Sequence, residues 1–186
     1  EVEPSRALLN KMAKLYRRPL LVFYLNQPPR SGDRGQDFRT LPNDIDNQED
    51  AIVDALIRDI KSRQELVRMV LEDEEDIESL KFVGSIELNE GVDKAVSSAI
   101  DVLKFDLQQY RDQASSLRAF EYLRNSAEKA GIFVLLVGNL GSYHSNIDPE
   151  LFRGFALADD LAPFIVINDN DSKIAWSFTL LHELVH

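Results

Sequence analysis

Apolar residues follow two regimes along this chain: spaced at helical intervals up to about residue 130, then gathered into short continuous runs. Pro4 and Ser5 predict the start of a helix carrying Leu8, Met12 and Leu15 at i, i+4 and i+7. Pro19 interrupts it, and residues 20–25 form a short apolar segment. Residues 26–46 contain Pro28, Pro29, Gly32, Gly35 and Pro42 and read as a linker. A long helix is predicted over 48–71, with Ile52, Leu56 and Ile60 on one stripe, and the acid run 72–76 reads as its solvated end. Two further helices are predicted. One covers 92–109, with Val92, Val96, Ala99 and Leu103 on its apolar face. The other covers 114–130, with Leu117, Phe120, Leu123 and Ala127, and is stopped by Gly131.

After Gly131 the pattern changes. Residues 132–137 make a continuous apolar strand, and 152–158 and 163–168 read as a second and a third, with Asp159 and Asp160 in the turn between them. Asn168 to Ser172 supply a turn and a helix N-cap, and a last helix runs to His186. On that helix Ala175, Thr179, His182 and His186 form one stripe, expected to face a cleft. Ile174, Phe178, Leu181 and Val185 form another, expected to bury against the sheet. The predicted class is α+β: a mostly helical N-terminal part, then a small sheet, then the motif helix.

Composition narrows the setting. Hydrophobic residues make up 44% and charged residues 28%, the balance of a soluble globular chain. No run of 18 apolar residues is present, and the N-terminus lacks the regions of a signal peptide. The absence of cysteine excludes disulfides and thiolate metal sites and agrees with a cytoplasmic location. The net charge of −11 is concentrated in the middle, where residues 40–112 carry 19 acidic and 8 basic side chains. Such a surface repels nucleic acid. Only residues 1–39, with 8 basic and 4 acidic side chains, are compatible with it.

The chemistry is concentrated in His182-Glu183-Leu184-Val185-His186. Histidines four apart lie one turn apart on the same helix face, so both imidazoles can reach one Zn²⁺. The glutamate beside the first histidine is placed to act as a base on water at the metal rather than as a ligand. Only three histidines occur in the chain, and a chance match to this pattern is expected below about 1%. The candidate roles are therefore His182 and His186 as metal ligands and Glu183 as catalytic base. Catalytic zinc needs three protein ligands. A metal held by these two histidines alone is expected to complete its shell with water or a neighbouring molecule. His144 and Tyr143, in the loop Gly141-Ser142-Tyr143-His144-Ser145, are candidates for a substitute ligand and an intermediate-stabilising hydroxyl, but a plain surface role suits them better.

Three stretches carry a resemblance. Residues 152–160 (FRGFALADD), 162–168 (APFIVIN) and 176–186 (WSFTLLHELVH) resemble the ImmA/IrrE family of metallo-endopeptidases over roughly the last 60 residues. Tyr16-Arg17-Arg18-Pro19-Leu20 and Asp37-Phe38-Arg39-Thr40-Leu41-Pro42 look like the junction seen when this peptidase follows an Xre-type helix-turn-helix domain. The resemblance implies four regions: 1–25 as the end of a helix-turn-helix-like region, 26–46 as linker, 47–112 as a helical region, and 113–186 as a zincin-like core. It implies a cytoplasmic zinc endopeptidase that cleaves a transcriptional repressor, with His182 and His186 as ligands and Glu183 as base. The family's third, acidic ligand lies downstream of the second histidine. A chain ending at His186 is thus expected to be part of a longer protein and inactive by itself. DNA would be met only through a domain before Glu1, and no membrane is expected. The alternative is a non-enzymatic transcriptional regulator or antitoxin-like interaction protein that keeps the peptidase fold.

Overall fold

The computed structural model describes residues 4–27, 47–74 and 77–186. Most of the expected linker, residues 28–46, and the end of the acid run, residues 75–76, lie outside the described residues. Among the described residues the chain forms six α-helices and a three-stranded mixed sheet. None of these helices is long and apolar enough to cross a membrane.

Helix α1 (Arg6–Leu15) begins where Ser5 accepts a hydrogen bond from the Leu8 N–H at 3.3 Å. It buries Leu9, whereas Leu8 and Leu15 of the predicted stripe are exposed. A short 3₁₀ turn, Leu20–Tyr24, follows Pro19. Helix α2 (Asn47–Glu72) buries Ile52, Leu56 and Ile60 as predicted, joined by Val53 and Ile57.

The single helix expected over 92–109 is two helices, α3 (Val92–Leu103) and α4 (Leu107–Arg111). Lys104 takes a left-handed conformation between them (φ 47°, ψ 45°). Asp106 then caps α4 by accepting from the N–H groups of Gln108 and Gln109, while Phe105 packs against Tyr110 and Tyr122. The apolar face of α3 is also rotated from expectation: Ala95 and Leu103 are buried, and Val92 and Val96 are exposed.

Helix α5 (Ser116–Lys129) ends as predicted at Gly131, whose φ of +92° disfavours an L side chain. The Gly131 N–H donates to Glu128 C=O and the Ile132 N–H to Ala127 C=O, which satisfies the last carbonyls of the helix.

The strands are β1 (Phe133–Leu136), β2 (Gly154–Leu157) and β3 (Phe164–Ile167). Their order is β1-β3-β2, with β1 parallel and β2 antiparallel to β3, so β2 is an outer strand. Paired residues share a face. Phe133, Phe155, Leu157, Phe164 and Val166 pack into the cluster around α2, and Val134, Ile165 and Ile167 into the cluster with α5 and α6 (Lys173–Val185). The sheet is therefore covered on both sides.

The loop from β1 to β2 is fixed from below by Asn168, which is fully buried. Its Nδ2 donates to Ile147 C=O and Phe152 C=O at 3.1 Å, and its Oδ1 accepts from the Asn170 N–H.

Candidate functional site

Helix α6 follows β3 through a turn and runs back along the sheet, and its rotation sets what each motif residue faces. Trp176 fixes that rotation at one end. Its ring meets Phe120 edge-on, with centroids 5.4 Å apart, and its Nε1 donates to Asp171 C=O at 3.1 Å. Trp176, Ser177, Thr179, Leu180 and Glu183 are the buried residues of the helix. This overturns the expected pair of stripes. Ile174 and Phe178, expected in the core, are 76% and 74% exposed, and Thr179, expected in a cleft, is buried. Both stripes are amphipathic in sequence. Trp176 has more apolar area to hide than Ile174 or Phe178 and wins the inward position.

Gly154 fixes the rotation at the other end. A Cβ at this position would stand 2.5 Å from Thr179 Cγ2, 2.9 Å from Val166 C=O and 3.2 Å from Glu183 Cγ. The missing side chain lets α6 lie directly on β2. Gly154 is accordingly half-buried beneath the helix.

Glu183 is held in that contact. It is 6% exposed, and its Oε2 is buried. The histidines lie at the outer side of the same turns, His182 half-buried and His186 exposed. Their Nε2 atoms are 3.2 Å apart. Two ligands at about 2.0–2.1 Å from a tetrahedral zinc are separated by about 3.3 Å, so the pair is spaced as one metal requires. The same distance also allows an N–H···N hydrogen bond between the rings when one Nε2 carries the proton. Although His186 is exposed overall, desolvation of its ring lowers its pKa from the ordinary histidine value, which favours the neutral form that binds metal. Phe178 lies stacked against His182, ring centroids 6.0 Å apart. Among the described residues no group of three or more His, Cys, Asp or Glu side chains is placed to hold a metal ion.

His144 is in a 3₁₀ turn, Tyr143–Ser145, and is exposed; the Tyr143 side chain lies outside the described set. That loop leaves the C-terminal end of β1. The last turn of α6 lies instead beside Pro163 to Ile165, where β3 begins, so the motif and His144 are at opposite ends of the sheet. The structure brings His182, Glu183 and His186 together and leaves His144 outside.

Two features complete the site, and only the second was not among the sequence candidates. The first is the outer edge of β2. The Asn168 N–H donates to Arg153 C=O at 2.9 Å, which makes these two a hydrogen-bonded pair. By the alternation of an antiparallel ladder, Gly154 and Ala156 then direct their N–H and C=O groups away from β3, to the open edge. The second is a cleft of about 180 Å³ beside the last turn of α6. Residues 82–86 form its far wall, and Glu183 and His186 its near one. Nothing local in the sequence of 82–86 announces this, because the contact is made across some hundred residues.

Comparison of the chain with family models, with curated proteins and with solved structures yields no match.

Proposed function

We propose that residues 113–186 carry the zincin-like strand-and-helix core of a zinc-dependent endopeptidase of regulatory type, which cleaves a transcriptional repressor in the cytoplasm. The observation that carries this reading is the 3.2 Å spacing of the His182 and His186 Nε2 atoms, with the Glu183 side chain buried beside them over Gly154 of β2. The choice of a repressor as substrate rests on the ImmA/IrrE resemblance of residues 152–186.

His182 and His186 would hold the zinc through Nε2, with a third, acidic ligand that the resemblance puts downstream of His186. When bound, zinc supplies a Lewis acid that makes water acidic enough to lose a proton near neutral pH. Glu183 accepts that proton and passes it to the leaving amine. Its side chain packs over Gly154 and its Oε2 is shielded from bulk water, so little reorganisation is needed as charge moves. The outward N–H and C=O groups of Gly154 and Ala156 pair with the substrate backbone as an added strand, which lays the scissile peptide along the histidine side of α6.

The test is cleavage of a candidate repressor by the full-length, zinc-loaded protein. Glu183→Gln keeps the side-chain shape but cannot take the proton, and turnover should fall about 10²–10⁴-fold. Undiminished cleavage by this variant would remove Glu183 from the mechanism.

A second reading has its own support. The hydrogen bond that the 3.2 Å spacing allows between the rings would hold the histidines together without metal, as in a non-enzymatic regulator that retains the fold. Zinc-loaded wild-type protein that cleaves no repressor would favour it.

A further inference from the structure

We propose that the cleft beside α6 receives one large apolar side chain of the substrate, next to the scissile bond, and that Phe82, Val83 and Ile86 set this preference. The proposal rests on the peptidase reading above and names the substrate feature which that site would select.

Position gives the first argument. A substrate strand added to β2 shares its faces, so the residue paired with Ala156 turns its side chain to the α6 side of the sheet. Ala156 lines the cleft, as do Glu183 and His186. The occupant is thus a side chain within a residue or two of the reacting bond.

Chemistry gives the second. The far wall is Phe82, Val83 and Ile86, and Ile132 joins Ala156 in the floor. Glu183 and His186 are the charged or titratable side chains that line the cleft. An Asp or Lys side chain entering would lose its hydration against hydrocarbon. Size gives the third. About 150 Å³ of apolar cavity is enough for a benzene ring, so about 180 Å³ admits Leu, Met or Phe.

The wall is also fixed in place. The Leu80 N–H donates to Asp160 C=O at 2.7 Å, and the Ser79 hydroxyl lies 3.4 Å from Asp160 Oδ2, tying this segment to the β2–β3 turn. Leu80 packs on Gly131, where a Cβ would come within 3.0 Å of it. The selective wall therefore comes from the helical region, outside the strands and helix that carry the motif.

The experiment uses the full-length, zinc-loaded protein and peptides that span its cleavage site, varied one position at a time among Leu, Phe, Ala and Asp. At one position next to the cut, kcat/KM should fall at least about 10-fold from Leu to Ala and further for Asp. Ile86→Trp, which fills the cleft, should reverse the Leu-to-Ala ratio. In parallel, N-acetyl-leucine amide is titrated into the protein and followed by methyl NMR. Shifts should appear at Val83, Ile86 and Ile132 and vanish in Ile86→Trp. Cleavage with no Leu-to-Ala difference at any position overturns the proposal, and so does a titration that leaves those methyls unmoved. If the zinc-loaded protein cleaves no peptide at all, the peptidase reading itself falls and takes the proposal with it.

Discussion

The two faces of β2 are built on opposite principles. On the α2 side Phe155 and Leu157 fill the space to the helix with large side chains, and Phe155 is 2% exposed against a tilted Phe152 ring. On the α6 side the same four-residue strand presents Gly154 and Ala156, and the helix comes down until Thr179 and Glu183 occupy the space a side chain at 154 would need. One face secures the strand by burying area. The other gives up area so that α6, with the buried Glu183, can lie close over the strand. Alternation along a strand permits both at once, because neighbouring residues answer to different layers.

The comparison predicts unequal failures. Phe155→Ala should have the largest effect on stability, a loss of about 3–5 kcal/mol by chemical denaturation, since it empties a closed site. A loss below about 1 kcal/mol would mean that the α2 face is not the supporting one. Gly154→Ala adds atoms where none fit and should cost about 1–3 kcal/mol, with a disproportionate drop in cleavage because Glu183 Cγ is among the atoms displaced. Thr179→Ser removes the nearest of those atoms and should recover part of that loss, a coupling of about 0.5–3 kcal/mol in a double-mutant cycle. Strictly additive losses would show that the helix does not rest on this strand as described.

The smallest effect should lie in the β2–β3 turn, where the two faces meet. Asp159 accepts the N–H groups of Leu161 and Ala162 and binds Arg68 of α2, which also reaches Asp160 and Glu72. Burial pushes the Asp159 carboxyl up, but the Ala162 and Leu161 N–H groups and the Arg68 guanidinium outweigh it and hold the pKa below the ordinary value of 3.8. A carboxyl depressed on folding stabilises above its unfolded pKa, and that contribution disappears as pH falls through the folded value. Asp159→Ala should therefore cost about 1 kcal/mol at neutral pH. The gap to wild type should narrow only below about pH 3.8. A gap that is constant down to lower pH would show that the carboxylate charge plays no part.

What the sequence disclosed depends on how local each cause is. The three strands, α2 and α5 were legible because runs of apolar residues and a Gly131 stop act over a few positions. The pairing of His182 with His186 was legible for the same reason, since i and i+4 share a helix face whatever surrounds them. The rotation of α6 was not, because Trp176 meets Phe120 and Thr179 meets Gly154, both long-range contacts. The break at Lys104 escaped notice because lysine carries no signal for a left-handed turn, and Phe105 and Asp106 enforce it only through what they touch. The cleft wall at 82–86 was equally hidden, being a site residue set by position in the fold alone.

The most direct test of this account is zinc stoichiometry in the full-length protein and three variants, measured by metal analysis after exhaustive dialysis. Wild type and Glu183→Gln should each retain one zinc, because the proposed function makes Glu183 a base and not a ligand, whereas His182→Ala and His186→Ala should each lose it. Zinc retained in full by either histidine variant, or lost from Glu183→Gln, would contradict the assignment of the site.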